Sequence, residues 1–450
     1  MKGKISIIYA NNNVDPYFYY PPLGGLYITS FLKHKGIDAS YYDFTIIGKW
    51  RKKIHEIIDS NPDVIGLSSN VSNYFNTHFL ARYIKSFNKD IKIIVGGPYP
   101  TSVPEKYLRN KAIDAVCIGE GEYTFYNYLV EGDKANGLMV KKNGEFFLTD
   151  PALCIQNLDD LPFPDLTQVD LRKYFHPFQK GKPMSSIITS RGCPSNCTFC
   201  FHDVHGYDWR ARSPKNVIEE IKWQVREFGV GELAFWDDNF TLDEKRAEKI
   251  CDLLIQEKTN IPLFPPNGIR ADRVNRGLLS KMKQAGFWLM VFSPETGDPS
   301  ILSRIKKGFT LKQIEKVARW SKALGFFLIF YFLIGFPFET KENVQNTLNF
   351  IKRVKPDIFL INRYYPMPKT PIAEEYNLTT DEGRDFKTVK LSKGFSKLIY
   401  SAYFNFYFNP FNLWNLLKQV DKRNFFLSFF RYFKAAINNL GRKFDYSLSD

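Results

Sequence analysis

Short apolar, β-branched runs recur along the first third of the chain, at Ile5 to Tyr9, Ala39 to Phe44, Val64 to Ser68, Ile91 to Val95 and Ala115 to Ile118, with helix-compatible stretches between them. Runs that stay apolar on both faces suit parallel strands covered by helices. Residues 1–133 are therefore predicted to form a doubly wound, Rossmann-like α/β domain. Its strand-to-helix loops carry Ser68-Ser69-Asn70, Gly96-Gly97-Pro98 and Gly119-Glu120-Gly121-Glu122. Glycines there let backbone amides approach a bulky or phosphate-bearing ligand, although such turns are also ordinary strand-to-helix punctuation.

The pattern then changes twice. Residues 134–183 read as a connector: Leu138 to Lys142 and Glu145 to Leu148 flank Asn143-Gly144, the signal of a type I′ hairpin, and Leu161-Pro162-Phe163-Pro164 follows. Residues 184–370 repeat strand then helix six times, with starts at Ile187, Leu233, Leu263, Trp288, Leu328 and Ile358. That is too few units to close a barrel and predicts a partial, open one able to admit a large substrate. From 371 to 450 the chain is basic and aromatic: Phe404, Phe408, Phe411, Trp414, Phe425, Phe429, Phe430 and Phe433 interleave with Lys418, Lys422, Arg423, Arg431 and Lys434. Helices are expected here, either capping the barrel or lying on a membrane surface.

At 450 residues and 44% hydrophobic content the chain is an ordinary globular protein of two or three domains. Its six cysteines are not spaced as a disulfide framework, which points to a reducing cytoplasm. The N-terminal apolar run turns polar at Asn11, too short for a signal peptide. The run Phe326 to Phe338 is broken by Gly335 and Pro337 and falls short of the roughly 18 residues a spanning helix needs. A net charge of +15 suits an anionic partner or simply a lysine-rich surface.

Chemistry concentrates in Cys193-Pro194-Ser195-Asn196-Cys197-Thr198-Phe199-Cys200, directly after Ile187-Ile188-Thr189. Three thiolates in one loop leave one iron of a four-iron cluster open to a substrate or cofactor. A structural zinc site completed by His202 or His205 is the alternative. The position past a strand, at the head of a βα series, favours the cluster, because active sites collect at the C-terminal ends of parallel strands.

With Arg191-Gly192 before it and an aromatic before its last cysteine, this loop resembles the signature of the radical S-adenosylmethionine (SAM) enzymes. The resemblance runs on through Trp236-Asp237-Asp238-Asn239-Phe240, Asn267-Gly268-Ile269-Arg270, Ser293-Pro294-Glu295-Thr296-Gly297, Leu333-Ile334-Gly335-Phe336-Pro337 and Tyr365-Pro366-Met367-Pro368. The first domain, with Pro21-Pro22-Leu23-Gly24-Gly25-Leu26 and Gly36-Ile37, resembles the cobalamin-binding domain that precedes the barrel in one radical SAM subfamily. Other cobalamin proteins place D-x-H-x-x-G there. Counting back from Gly24, Tyr19 and Pro21 stand at the aspartate and histidine positions, and Asp43-x-Thr45-x-x-Gly48 also lacks a histidine.

The resemblance implies three cofactors, a [4Fe-4S] cluster, SAM and cobalamin, with Cys193, Cys197 and Cys200 on the cluster. Asp237 and Asp238 would grip the SAM amino group, Arg270 its carboxylate, and Glu295 the ribose hydroxyls, while Gly335 would let adenine approach. Ser68, Ser69, Gly96, Gly97, Gly119 and Gly121 would line cobalamin. Tyr364, Tyr365, His202 and His205 are further candidates for substrate or cofactor contact, with core packing the plainer role for the tyrosines.

The implied activity is methylation of an unactivated carbon by way of a 5′-deoxyadenosyl radical and methylcobalamin. A radical SAM oxidative cyclase, similar to the anaerobic magnesium-protoporphyrin monomethyl ester cyclase, has the same domain order and is the rival. RNA methylthiotransferases bring a second cysteine triplet that this chain lacks, and a non-enzymatic metal-binding module is the remaining class. A small-molecule substrate is expected, of lipid or tetrapyrrole type, with a flavodoxin or ferredoxin as reductant. Nucleic acid is not expected as a partner. Peripheral contact with the inner membrane surface is one role open to the tail, capping the barrel the other.

Overall fold

The first strands assemble where their apolar runs dictate, β1 (Ile5–Tyr9), β2 (Ala39–Asp43), β3 (Val64–Ser68), β4 (Lys92–Gly96) and β5 (Ala115–Cys117), in the parallel order β2-β1-β3-β4-β5. These coordinates are a computed structural model that describes residues 3–10, 19–152, 154–176, 178–378, 393–410, 412 and 414. The strand order reverses between β1 and β3, and in doubly wound sheets such a reversal opens a crevice beyond the strand ends.

Asn143 and Gly144 both have positive φ, 51° and 92°, as a type I′ turn requires. They join β6 (Leu138–Lys142) to β7 (Glu145–Leu148), and β6 pairs antiparallel with β5, so the hairpin lengthens the first sheet. Chain contacts group everything up to Tyr174 with this sheet, together with Phe201–Arg210.

The second unit takes Phe175–Cys200 and the described chain from Ala211 onward. Its strands are β8 (Met184–Ile187), then β11 (Glu232–Phe235), β12 (Leu263–Phe264), β13 (Leu289–Glu295), β14 (Phe327–Ile334) and β15 (Ile358–Arg363). The numbers between belong to two-residue strands, β9 (Ser190–Arg191) and β10 (Arg210–Ala211). The six strands pair in parallel, three in β12-β11-β8 and three in β13-β14-β15, with a parallel bridge from Leu263 to Phe287 between the two sets. This is the partial barrel expected, with one correction. Ile187 ends the first strand and does not begin it, because Ser185 and Ser186 are fully buried inside a run that reads as polar.

The helix Lys393–Tyr407 covers the open edge of β15. The backbone amide of Ile361 donates to the Tyr403 hydroxyl at 2.8 Å, and that of Phe359 to Tyr407 at 3.1 Å. Tyr407 returns a bond to the Phe359 carbonyl at 2.8 Å. Edge-strand groups otherwise left to solvent are thereby satisfied. The same helix leaves Phe404 and Phe408 exposed and stacked at 4.6 Å, and Trp414 is exposed beyond it. Phe411, Phe425, Phe429, Phe430, Phe433, Lys418, Lys422, Arg423, Arg431 and Lys434, expected on tail helices, lie outside the described residues. Among the described residues no helix is long and apolar enough to cross a membrane.

Candidate active site

The cysteine loop is pinned by backbone bonds from three directions. Gly192, at φ 86°, donates its amide to Asp238 Oδ2 at 2.9 Å. Thr198 donates to the Ile305 carbonyl and receives from the Ile372 amide, each at 3.1 Å. Phe199 packs with Phe336, Tyr364, Ile301, Ile305 and Ile372 in one apolar cluster. A loop held this way presents its thiols in a set arrangement before any metal arrives.

The three thiols differ in surroundings. Asn239 Nδ2 lies 3.9 Å from Cys193 Sγ. Cys197 and Cys200 share a hydrogen bond that divides them, with Cys197 pushed down to about 6 and Cys200 pushed up. The Lys307 and Arg270 charges add to the lowering at Cys197. Low-lying thiolates near cations are what iron ligation asks for. Among the described residues no three His, Cys, Asp or Glu side chains converge as a single-ion site demands. A four-iron cluster takes each thiolate on a separate iron and leaves the fourth iron open, which suits a loop of three cysteines. The histidines of the zinc reading are otherwise engaged: His202 stacks on Tyr207 at 4.2 Å, and His205 Nδ1 lies 3.1 Å from Glu120 Oε1.

Asp237 and Asp238, adjacent in sequence, point to different work. Asp237 is buried and accepts from the Thr189 hydroxyl at 2.6 Å, the Ser190 hydroxyl at 2.5 Å and the Thr189 amide at 3.2 Å, so it stitches the end of β11 to the segment leading into the cysteine loop. Burial pushes its carboxyl up. Asp238 is exposed and holds Gly192 as described.

Arg270 forms a bidentate pair with Asp272 at 3.0 and 3.1 Å and donates to the Lys307 carbonyl at 2.8 Å. Glu295 closes β13 at φ 68°, a left-handed conformation unusual for a non-glycine residue, where the strand register shifts. Its Oε1 lies 2.7 Å from Lys307 Nζ, and both side chains are buried. Burial works against the Lys307 charge, but Glu295 and the two thiols outweigh it and hold the ammonium above its usual range. Gly335, at φ 90°, donates its amide to Glu339 Oε2 at 2.5 Å, and burial pushes the Glu339 carboxyl up to about 7. Tyr364 is core, stacked on Phe336 at 4.7 Å, while Tyr365 is half-buried.

Thus Cys197, Cys200, Arg270, Glu295 and Lys307 form one electrostatic cluster, and Asp238 and Asn239 reach the loop from the end of β11. Sequence reasoning missed Lys307, which sits in Arg304-Ile305-Lys306-Lys307 and reads as part of a solvated basic run. It also missed Glu339, four residues past Gly335.

In the first unit the residues expected at cobalamin all fall at the C-terminal edge of the parallel strands: Ser68 and Ser69 after β3, Gly96 and Gly97 after β4, Gly119 and Gly121 after β5. Ser69 is spent internally, bonded to Tyr107 at 2.7 Å and to Asn73 and Thr77 at 3.0 Å each. Gly97 is demanded by packing, since a Cβ there would lie 2.3 Å from the Ser69 carbonyl. Gly119, at φ 78°, donates its amide to Thr101 Oγ1 at 3.1 Å, and the atoms nearest its would-be Cβ are the Asp203 and Val204 carbonyls at 3.8 Å. A carboxylate from the second-strand loop is not available, because Asp43 is buried and bonded to Tyr174 at 2.7 Å and to the Thr45 amide at 2.8 Å. The edge fits a large cofactor held by backbone and small residues.

Comparison with known proteins agrees with the two-part fold. Residues 187–351 match the model of the radical SAM superfamily, and residues 12–129 that of the B12 binding domain. An uncharacterized methyltransferase of Pyrococcus horikoshii is 33% identical over 87% of this chain and 88% of its own. The cytidylyl-2-hydroxyethylphosphonate methyltransferase of Streptomyces wedmorensis is 26% identical over 70% and 69%. The anaerobic magnesium-protoporphyrin IX monomethyl ester cyclase of Rubrivivax gelatinosus is 25% identical over 79% and 66%. Among solved structures, the radical SAM methyltransferase TsrM of Kitasatospora setae, with cobalamin and a [4Fe-4S] cluster bound, superposes with a TM-score of 0.70 at 17% identity, over 83% of this chain and 74% of that one. The chain belongs to the radical SAM family whose barrel follows a B12-binding domain, with a [4Fe-4S] cluster, SAM and cobalamin as its cofactors.

Proposed function

We propose that the enzyme is a methyltransferase acting on an unactivated carbon of a small molecule. The observation that carries this reading is the similarity to a protein named a methyltransferase over nearly the whole length of both chains. When bound, the cluster supplies the electron that cleaves SAM to a 5′-deoxyadenosyl radical, and cobalamin supplies the methyl group.

The chain's own residues bind and orient. Cys193, Cys197 and Cys200 hold the cluster, with Asn239 beside Cys193. Asp238 sets the entry to the loop through Gly192 and keeps exposure enough to accept from an ammonium. Arg270 and the Glu295–Lys307 pair supply charges of both signs beside the thiols, suited to a zwitterionic amino acid group and to ribose hydroxyls. Glu339 holds the Gly335 amide, and so the shape of the loop at adenine. Asp237 acts behind this set, as a brace for the segment ahead of the cysteines. In the first unit Ser68, Gly96, Gly119 and Gly121 would border cobalamin with small groups, and Pro21 would offer its cobalt no imidazole.

The outward aromatics Phe404, Phe408 and Trp414 support peripheral contact with an anionic membrane surface, while the inward tyrosines of the same helix cap the barrel.

The test is turnover of the reduced holoenzyme with trideuteromethyl SAM and the metabolite extract of a strain lacking the gene. A labelled product, with both 5′-deoxyadenosine and S-adenosylhomocysteine, is expected. Deoxyadenosine alone with an unlabelled product would replace this reading by the oxidative cyclase, which the similarity to the Rubrivivax enzyme favours as the second candidate.

A further inference from the structure

Glu120 and Arg210 are 90 residues apart in sequence and meet as a buried, bidentate ion pair, Nη1 to Oε2 at 3.1 Å and Nη2 to Oε1 at 2.9 Å. Side-chain exposure is 4% for the carboxylate and 6% for the guanidinium. Charges so far from water need partners for most of their lone pairs and protons. Here all the guanidinium donors but Nε are shared out. The Ile155 amide donates to Glu120 Oε2 at 2.9 Å, Arg210 donates to the Ile155 carbonyl at 2.5 Å and to the His205 carbonyl at 2.9 Å, and His205 Nδ1 reaches Glu120 Oε1 at 3.1 Å.

The two ends of this pair belong to different functional stretches. Glu120 stands between Gly119, left-handed at φ 78°, and Gly121, where a Cβ would lie 2.7 Å from Ile28. That is the loop after β5, at the edge of the sheet where cobalamin is expected. Arg210 ends the stretch Phe201–Arg210, which begins at the residue after Cys200 yet groups with the first unit. The stretch is folded on itself, with the Gly206 amide on the His202 carbonyl at 2.7 Å and His202 stacked on Tyr207. Carbonyls of Asp203 and Val204 lie nearest to Gly119, 3.8 Å from its would-be Cβ. The chain that leaves the last cluster cysteine is thus clamped to the β5 loop.

We propose that Glu120 and Arg210 are positioning residues that couple occupancy of the cobalamin site to the state of the iron–sulfur loop. A ligand that settles the Gly119–Gly121 backbone settles Glu120, and through Arg210 the stretch that begins beside Cys200. A filled cluster, by fixing Cys200, does the reverse. Such coupling is reciprocal. It depends only on the two cofactors and not on which reaction they serve, so it stands or falls apart from the methyltransferase reading.

The experiment is titration of hydroxocobalamin into cluster-reconstituted and cluster-free protein, with the electron paramagnetic resonance of the reduced cluster recorded with and without cobalamin. Wild type should bind cobalamin about tenfold more tightly with the cluster in place, and its cluster signal should shift on cobalamin binding. Glu120→Gln keeps the shape and drops the charge, and its affinity ratio should fall to near one while both cofactors still load. Arg210→Lys keeps the charge and loses the bidentate geometry, and it should behave likewise. A ratio of one in wild type overturns the proposal, as does a wild-type ratio in either variant. Should one variant not load cobalamin, the other decides. Loss of cobalamin from both with an unaltered cluster signal also overturns it, since the pair would then serve the first unit alone.

Discussion

Lys307 Nζ sits 2.7 Å from Glu295 Oε1, both side chains largely buried, and its ammonium feels the thiols of Cys197 and Cys200. Glu295 adopts a left-handed backbone at the end of β13 to make this contact. Removing one member of a buried pair strands the other charge, at a cost of about 3–5 kcal/mol. Lys307→Met should therefore lower the unfolding free energy of the cluster-free protein by that order in denaturant titration. Adding Glu295→Gln should recover most of the loss. Equal stability of the single and double variants would mean that Glu295 is not left charged.

Iron should track the three loop cysteines and no others. Reconstituted wild type is expected to carry about four irons per chain with the broad absorption of a four-iron cluster. Cys193→Ala, Cys197→Ala and Cys200→Ala should each lose it. Cys117→Ala and Cys251→Ala, at buried thiols elsewhere, should retain it. Stoichiometric zinc in place of iron would return the site to the structural alternative.

Cobalamin should bind with no protein nitrogen on cobalt, because Pro21 occupies the place of a ligating histidine. In the cob(II)alamin form, nitrogen hyperfine splitting from an axial ligand in the paramagnetic resonance spectrum would contradict this.

Burial holds the Glu339 carboxyl up to about 7, from an ordinary value of 4.5. Between those values the folded chain keeps a proton that the unfolded chain has released. The contribution of this group to stability is thus full below about 4.5 and is lost as pH rises through about 7, by up to about 3 kcal/mol. Glu339→Gln keeps an acceptor for the Gly335 amide and does not titrate. The variant should gain stability relative to wild type as pH rises from 4.5 to 7, and parallel pH profiles would refute the assignment.

The two faces of the helix Lys393–Tyr407 should separate by mutation. Tyr403→Phe and Tyr407→Phe each leave a buried β15 amide unpaired and should cost about 1–3 kcal/mol in thermal or denaturant unfolding. Phe404→Ser with Phe408→Ser should leave stability nearly unchanged and weaken sedimentation with anionic liposomes, most visibly at low salt. Identical sedimentation of wild type and the double variant would leave the helix as a cap only.

Much of this protein is written locally. A β-branched run of a few residues makes a buried strand wherever it lies, so β1 to β5 and the barrel strands could be read from periodicity, and Asn143-Gly144 imposes its turn by backbone conformation alone. The cysteine triplet is likewise a local arrangement. What the linear pattern does not carry is which charges lose their water. Asp237 and Asp238 are neighbours in sequence, yet the end of β11 turns one into the interior against Thr189 and leaves the other outside to hold Gly192. Lys307 belongs to a run that resembles a solvated surface, and only the return of the chain past Glu295 and Cys197 buries it. Glu120 and Arg210 find each other across 90 residues of sequence, at a contact no short window contains. Strands and turns follow from short-range sterics and hydrophobic spacing, which the sequence by itself determines, whereas burial and pairing of charge depend on distant segments sharing a low-dielectric space, which tertiary structure alone decides.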